Sequence, residues 1–106
     1  MTFVYQVTFD IKPDQMEVLE IGASLERVLG YLRTLLPAET GFVTSRAMYS
    51  VDIPGTTHLV FESVWETWDD LDKHRRSSLA EDKALTEFKP HVALEDLSAH
   101  TYGEVA

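Results

Sequence analysis

His74 follows Leu71 by three residues on a short helix expected to begin after Thr67, within the segment THLVFESVWETWDDLDKHRRSSL over residues 57–79. Residues three apart share one side of a helix. Leu71 is apolar and points inward, so His74 beside it can reach a cavity under the helix. A histidine there serves as a base near neutral pH. The alternative is a structural histidine bonded to a backbone carbonyl at the core's edge, or one at the surface. Arg46 shares a face with Phe42, Thr44 and Met48 on an extended segment. It can bind a carboxylate, phenolate or semiquinone anion, or pair with Glu62 across a hairpin. Tyr49, Tyr5 and Tyr102 can donate hydrogen bonds to a phenolic ligand or serve the fold. Trp65, at a strand end, can stack on a flat substrate or pack in the core. Trp68, in the first turn of the helix, is expected half exposed, against a partner subunit.

Other chemistries find little support. His58, His91 and His100 lie in separate segments without ligand spacing, so no metal site is expected. There is no cysteine, which removes disulfides, thiolate zinc sites and cysteine nucleophiles. No glycine-rich phosphate loop, nucleophile elbow or dinucleotide fingerprint occurs. The run Lys73-His74-Arg75-Arg76 reads as a solvated helix face, with an anion site as the alternative.

The elements that must hold these residues follow from the apolar pattern. Residues 3–10 alternate, with Phe3, Tyr5, Val7 and Phe9 on one side and Val4, Gln6 and Thr8 on the other, as in a strand. Pro13-Asp14 opens a helix, and Asp14 with Glu17 has capping-box spacing. Val18, Ile21, Leu25, Val28, Leu32 and Leu35 form its inner stripe, widened by Leu19, Leu29 and Leu36, and Pro37 stops it. Gly22 and Gly30 weaken such a helix; close packing on a sheet, or a bend, would account for them. Residues 42–51 and 57–66 form an antiparallel hairpin about the turn at 52–55. Thr67 caps the next helix, with Asp69 and Asp70 in its first turn. A break near Ser77-Ser78 precedes a second short helix to Phe88, stopped by Pro90. Residues 94–105 form the last strand.

The order strand, helix, strand, strand, helix, strand predicts an α+β fold of the ferredoxin-like βαββαβ kind, with a four-stranded antiparallel sheet and both helices on one face. Its 106 residues make a single domain, 1–106. Neither face of the hairpin is clearly polar: His58, Glu62 and Glu66 alternate with Val60 and Val64, opposite Leu59, Phe61 and Trp65. A sheet apolar on both faces needs a partner, and a homodimer through the sheet faces is the economical answer.

A net charge of −9 disfavours nucleic acid and anionic lipid as partners. No apolar run approaches the roughly 20 residues of a membrane span. The start, MTFVYQVTFD, has neither the basic flank nor the apolar plateau of a signal peptide, which favours the cytoplasm.

Around Val64-Trp65-Glu66-Thr67, Leu71 and His74, the chain resembles the dimeric α/β-barrel proteins of the antibiotic biosynthesis monooxygenase type. Many of these carry a Trp-Glu pair at the end of the third strand, a capping residue, then a helix with a histidine at this position. The resemblance implies a homodimer whose sheets pack face to face into a barrel, and a cavity between sheet and helices in each subunit. Known activities include cofactor-free oxidation of polycyclic phenols, quinol oxidation, haem degradation and isomerisation of small metabolites. The haem-degrading branch uses an Asn on the first strand, a Trp on the second helix and a His further along. Here Gln6 takes the first position, His74 falls near the second and Ala84 near the third, so haem chemistry is not carried over.

Two functions follow. One is a cofactor-free monooxygenase or related enzyme acting on an aromatic or quinol, with His74 as catalytic base and Gln6, Arg46, Tyr49, Trp65 and Trp68 contacting substrate. The other is a non-catalytic dimer that binds a small hydrophobic metabolite, or no ligand.

Overall fold

The computed structural model describes residues 1–52, 55–77, 86–88, 90–92 and 97–105. Strand β1 (Phe3–Ile11) is followed by helix α1 (Val18–Leu35) and a short 3₁₀ turn (Leu36–Ala38). Strands β2 (Phe42–Val51) and β3 (Thr57–Trp65), helix α2 (Trp68–Ser77) and strand β4 (Ser98–Gly103) complete the order. The sheet runs β2-β3-β1-β4 with every pair antiparallel. This is the ferredoxin-like α+β fold the apolar pattern predicts.

The alternation of β1 decides which face is covered. Tyr5, Val7, Phe9 and Ile11 are buried, as are Leu59 and Trp65 of β3. Helix α1 lays Ile21, Val28 and Leu32 onto this face. Each such aliphatic side chain taken out of water contributes about 1.5–3 kcal/mol. Ser24 also turns inward and is satisfied within its own helix by Arg27 Nη2 at 3.2 Å. Phe88 closes the core against Phe9, with ring centroids 5.3 Å apart. An ion pair of 2.9 Å between Arg27 and Glu87 ties that segment to α1.

Three features depart from the sequence reading. Helix α1 begins at Val18, not at Pro13, and Glu17 makes no side-chain cap. Gln15 instead closes a turn, with its Oε1 accepting from Lys12 N at 2.7 Å. Leu19 is exposed and does not widen the inner stripe. Gly22 and Gly30 have no close neighbour: a Cβ at either would meet nothing within 4 Å. Sheet packing therefore does not account for either.

Ser77 is the last described residue of α2; the Ser78 side of the predicted break, most of the second short helix and the corner Ile53-Pro54 lie outside the described residues, as do residues 93–96. Among the described residues no helix is long and apolar enough to cross a membrane.

Candidate functional site

Helix α2 is short and depends on its cap. Thr67 Oγ1 accepts from Asp70 N at 3.1 Å and donates to the Asp70 carboxylate at 2.7 Å. The first bond satisfies a backbone donor that a helix start leaves open, and the second holds the threonine hydroxyl in place for it. Glu66 N donates to Gly41 O at 2.8 Å, so the start of β2 is fastened to the β3–α2 junction. Gly41, at φ 81°, allows the close approach: a Cβ there would run into the Asp70 side chain.

The inner side of α2 presents Leu71 and His74, both buried, with His74 only 4% exposed. The imidazole stacks on Trp65, with centroids 4.6 Å apart and planes at 26°. Tyr5 meets it edge-on at 5.8 Å. Trp65 is itself held, since Nε1 donates to Ser63 Oγ at 2.9 Å and Phe42 packs edge-on at 5.7 Å. The two ring contacts fix the plane of the imidazole.

Glu39 fixes its rotation. Its carboxylate oxygens lie 3.1 and 3.0 Å from His74 Nδ1. A carboxylate only accepts, so the proton on this side belongs to Nδ1. In the neutral ring Nε2 is then the acceptor, and among the described residues nothing hydrogen-bonds it. A carboxylate that orients a histidine in this way prepares the far nitrogen to take a proton. Ser77 Oγ donates to His74 O at 2.8 Å, three residues back.

On the outer side of α2 the two arginines of the basic run share one carboxylate. Arg75 and Arg76 both pair with Asp72, at 2.5 and 3.0 Å.

The remaining sequence candidates lie elsewhere. A β-bulge separates Phe42, opposite Trp65, from Thr44, opposite Val64. The extra residue, Val43, turns Phe42 to the helix face and leaves Thr44, Arg46 and Met48 on the open face. Arg46 therefore does not share a face with Phe42, and the sheet separates it from His74. Gln6 is on the open face too. Both grip Glu62, with Arg46 Nε donating to Oε2 at 2.6 Å and Gln6 Nε2 to Oε1 at 2.8 Å. The hydrogen bond from Arg46 holds the Glu62 carboxyl below the ordinary carboxylate range, with Gln6 adding to the effect and burial opposing it. The Arg46 guanidinium is correspondingly raised. A hollow of about 440 Å³ on this face is bounded by Val4, Thr44, Arg46, Glu62, Val64 and Tyr102.

Tyr49 is 67% exposed, on the rim of a separate groove beside α1. Trp68 is half exposed and packs edge-on against Phe3 at 5.9 Å. Of the six residues singled out from sequence, the structure thus brings His74 and Trp65 together, with Trp68 on the same helix as His74. Sequence reasoning missed Glu39. An acid in a loop carries no periodic signal; only the pairing of Phe42 with Trp65 brings it near α2.

The other histidines are dispersed. His58 pairs with Asp10, and His91 bridges Gln15 O and Glu20 at 3.0 and 3.2 Å. Among the described residues no three metal-binding side chains cluster.

No protein-family profile and no curated protein sequence matches the chain. Solved structures do. A dimeric protein of unknown function and ferredoxin-like fold from Bacteroides fragilis superposes with a TM-score of 0.72, at 12% identity, over 95% of this chain and 94% of that one. SnoaB, a cofactor-independent oxygenase from Streptomyces nogalater, gives 0.63 at 12% identity, over 97% and 92%. A protein classed with the antibiotic biosynthesis monooxygenases, from Bordetella bronchiseptica, gives 0.64 at 20% identity, over 99% and 98%. At these identities the likeness is one of fold: the chain has the ferredoxin-like fold of the antibiotic biosynthesis monooxygenase type.

Proposed function

We propose that the chain is a monooxygenase of this type that oxidises an aromatic or quinol substrate without a cofactor, with His74 as the base. The observation that carries the reading is His74, buried against Trp65 and paired with the half-buried Glu39. Nε2 takes the phenolic proton, Glu39 stabilises the imidazolium that forms, and Trp65 holds the ring plane. Oxidation of a phenol to a quinone then balances with dioxygen alone. One oxygen atom enters the ring, and the other leaves as water with the phenolic and ring protons. The electrons come from the substrate, and the protein supplies the base and shelter from solvent. Trp68, in the first turn of the same helix, is the further aromatic group assigned to the substrate.

The open face of the sheet is assigned to a second copy of the chain. Val4, Val64, Met48 and Tyr102 lie there around the Gln6–Glu62–Arg46 network, and a sheet face of this composition gains by burial. The Bacteroides fragilis protein of like fold is dimeric, which supports pairing of two copies. Light scattering of the purified chain tests it, with twice the monomer mass expected and the monomer mass as the contrary result.

Oxygen uptake with a panel of polycyclic phenols and naphthoquinols tests the reaction. Consumption by the wild-type chain, lost in a folded His74→Ala variant, is the expected outcome. Consumption by neither, with saturable binding of the same compounds, favours the binding module instead.

A further inference from the structure

Among the described residues four polar side chains are buried in the core: Ser24, Ser63, His74 and Thr57. Three have partners, namely Arg27, Trp65 and Glu39. Thr57 is 3% exposed, and among the described residues its hydroxyl has no hydrogen-bond partner. A hydroxyl removed from water without a replacement partner destabilises the fold. Thr57 opens β3, where it faces Val51 on β2 and Ile11 on β1.

Thr57 lines a groove of about 350 Å³ between α1 and β2. Ile21, Leu25 and Leu29 form one wall, with Ala47 and Val51 on the other. Gly22 lines it too, and the space its missing side chain leaves is empty within 4 Å. Glycine weakens a helix interior, and no neighbour in the fold requires it here. Tyr49 and the acidic residue Glu26 also border the groove. The negative rim, on a chain of net charge −9, disfavours anions.

We propose that this groove is a binding site for a small, neutral, largely apolar molecule bearing one hydroxyl or carbonyl, which hydrogen-bonds Thr57 Oγ1. The volume lies at the small end of the range for ligand sites. Thr57 and Trp65 end the same strand eight residues apart, about 26 Å at strand rise. The groove is therefore distinct from the His74 site and does not depend on phenol oxidation.

Amide NMR titration of the isotope-labelled full chain with indane and 2-indanol tests it. The pair matches in shape, and the alcohol adds one aliphatic hydroxyl that phenol chemistry cannot consume. Saturable shifts at Gly22, Leu25, Tyr49 and Thr57 are expected. Thr57→Val, which keeps the shape of the side chain, weakens 2-indanol about fivefold or more and moves indane by less than about twofold. Gly22→Leu removes both, while Gly30→Leu, on the exposed side of the same helix, changes neither. Shifts confined to the neighbourhood of His74, equal affinity of wild type and Thr57→Val for 2-indanol, or no saturable shift with either probe overturns the proposal.

Discussion

The carboxylate of Glu39 meets the imidazole of His74 across 35 positions of sequence, with its oxygens 3.1 and 3.0 Å from Nδ1. The pair joins the end of the 3₁₀ turn to the inner side of α2. Trp65 beneath the ring leaves it little freedom to turn elsewhere.

Truncating the acid therefore leaves a buried ring N–H unpaired. Glu39→Ala is predicted to lower stability by about 1–3 kcal/mol, measured by urea denaturation. Glu39→Gln keeps an acceptor and loses less. Equal stability of wild type and Glu39→Ala would show that the contact does not bear on the fold.

Glu62 makes the chain sensitive to acid. Its carboxyl titrates below the ordinary value, chiefly because Arg46 hydrogen-bonds it. A lowered folded-state value favours the fold above the ordinary carboxylate range, near pH 4.3, and the benefit disappears as pH falls through that range to the folded value. Arg46→Ala removes the main cause. The melting temperature of the variant should fall less steeply than that of wild type between about pH 5 and 3. Parallel curves would contradict this assignment.

The glycines are predicted to behave in opposite senses. Gly22→Ala and Gly30→Ala meet no neighbour and should each stabilise the chain by about 0.5–1 kcal/mol. Gly41→Ala places a Cβ against Asp70 in left-handed backbone and should destabilise by about 1–3 kcal/mol. Thermal melts of the three variants decide the matter, and stabilisation by Gly41→Ala would contradict the geometry.

Much of the scaffold was legible because it rests on local pattern. The alternation of β1, the turn between two apolar runs and the Thr67 cap each record a nearby physical requirement. The start of α1 was misplaced because Asp14 and Glu17 have capping spacing, yet Gln15 closes a turn on Lys12 first. The bulge at Val43 carries no composition signal, and it puts Phe42 and Arg46 on opposite faces of the sheet. His74 and Trp65 could be singled out from spacing within one segment. Glu39 could not, because its meeting with His74 depends on how β2 registers against β3.

The central claim is that His74 takes the substrate's proton, and the direct test is the turnover of wild type and His74→Ala with two phenols that differ in acidity. With a phenol protonated at the assay pH, the variant should lose about 10²- to 10⁴-fold in kcat. With a phenol already ionised at that pH, most of the loss should vanish, because no proton remains to be taken. Equal losses with both phenols, or full activity of His74→Ala with the protonated one, would contradict the account.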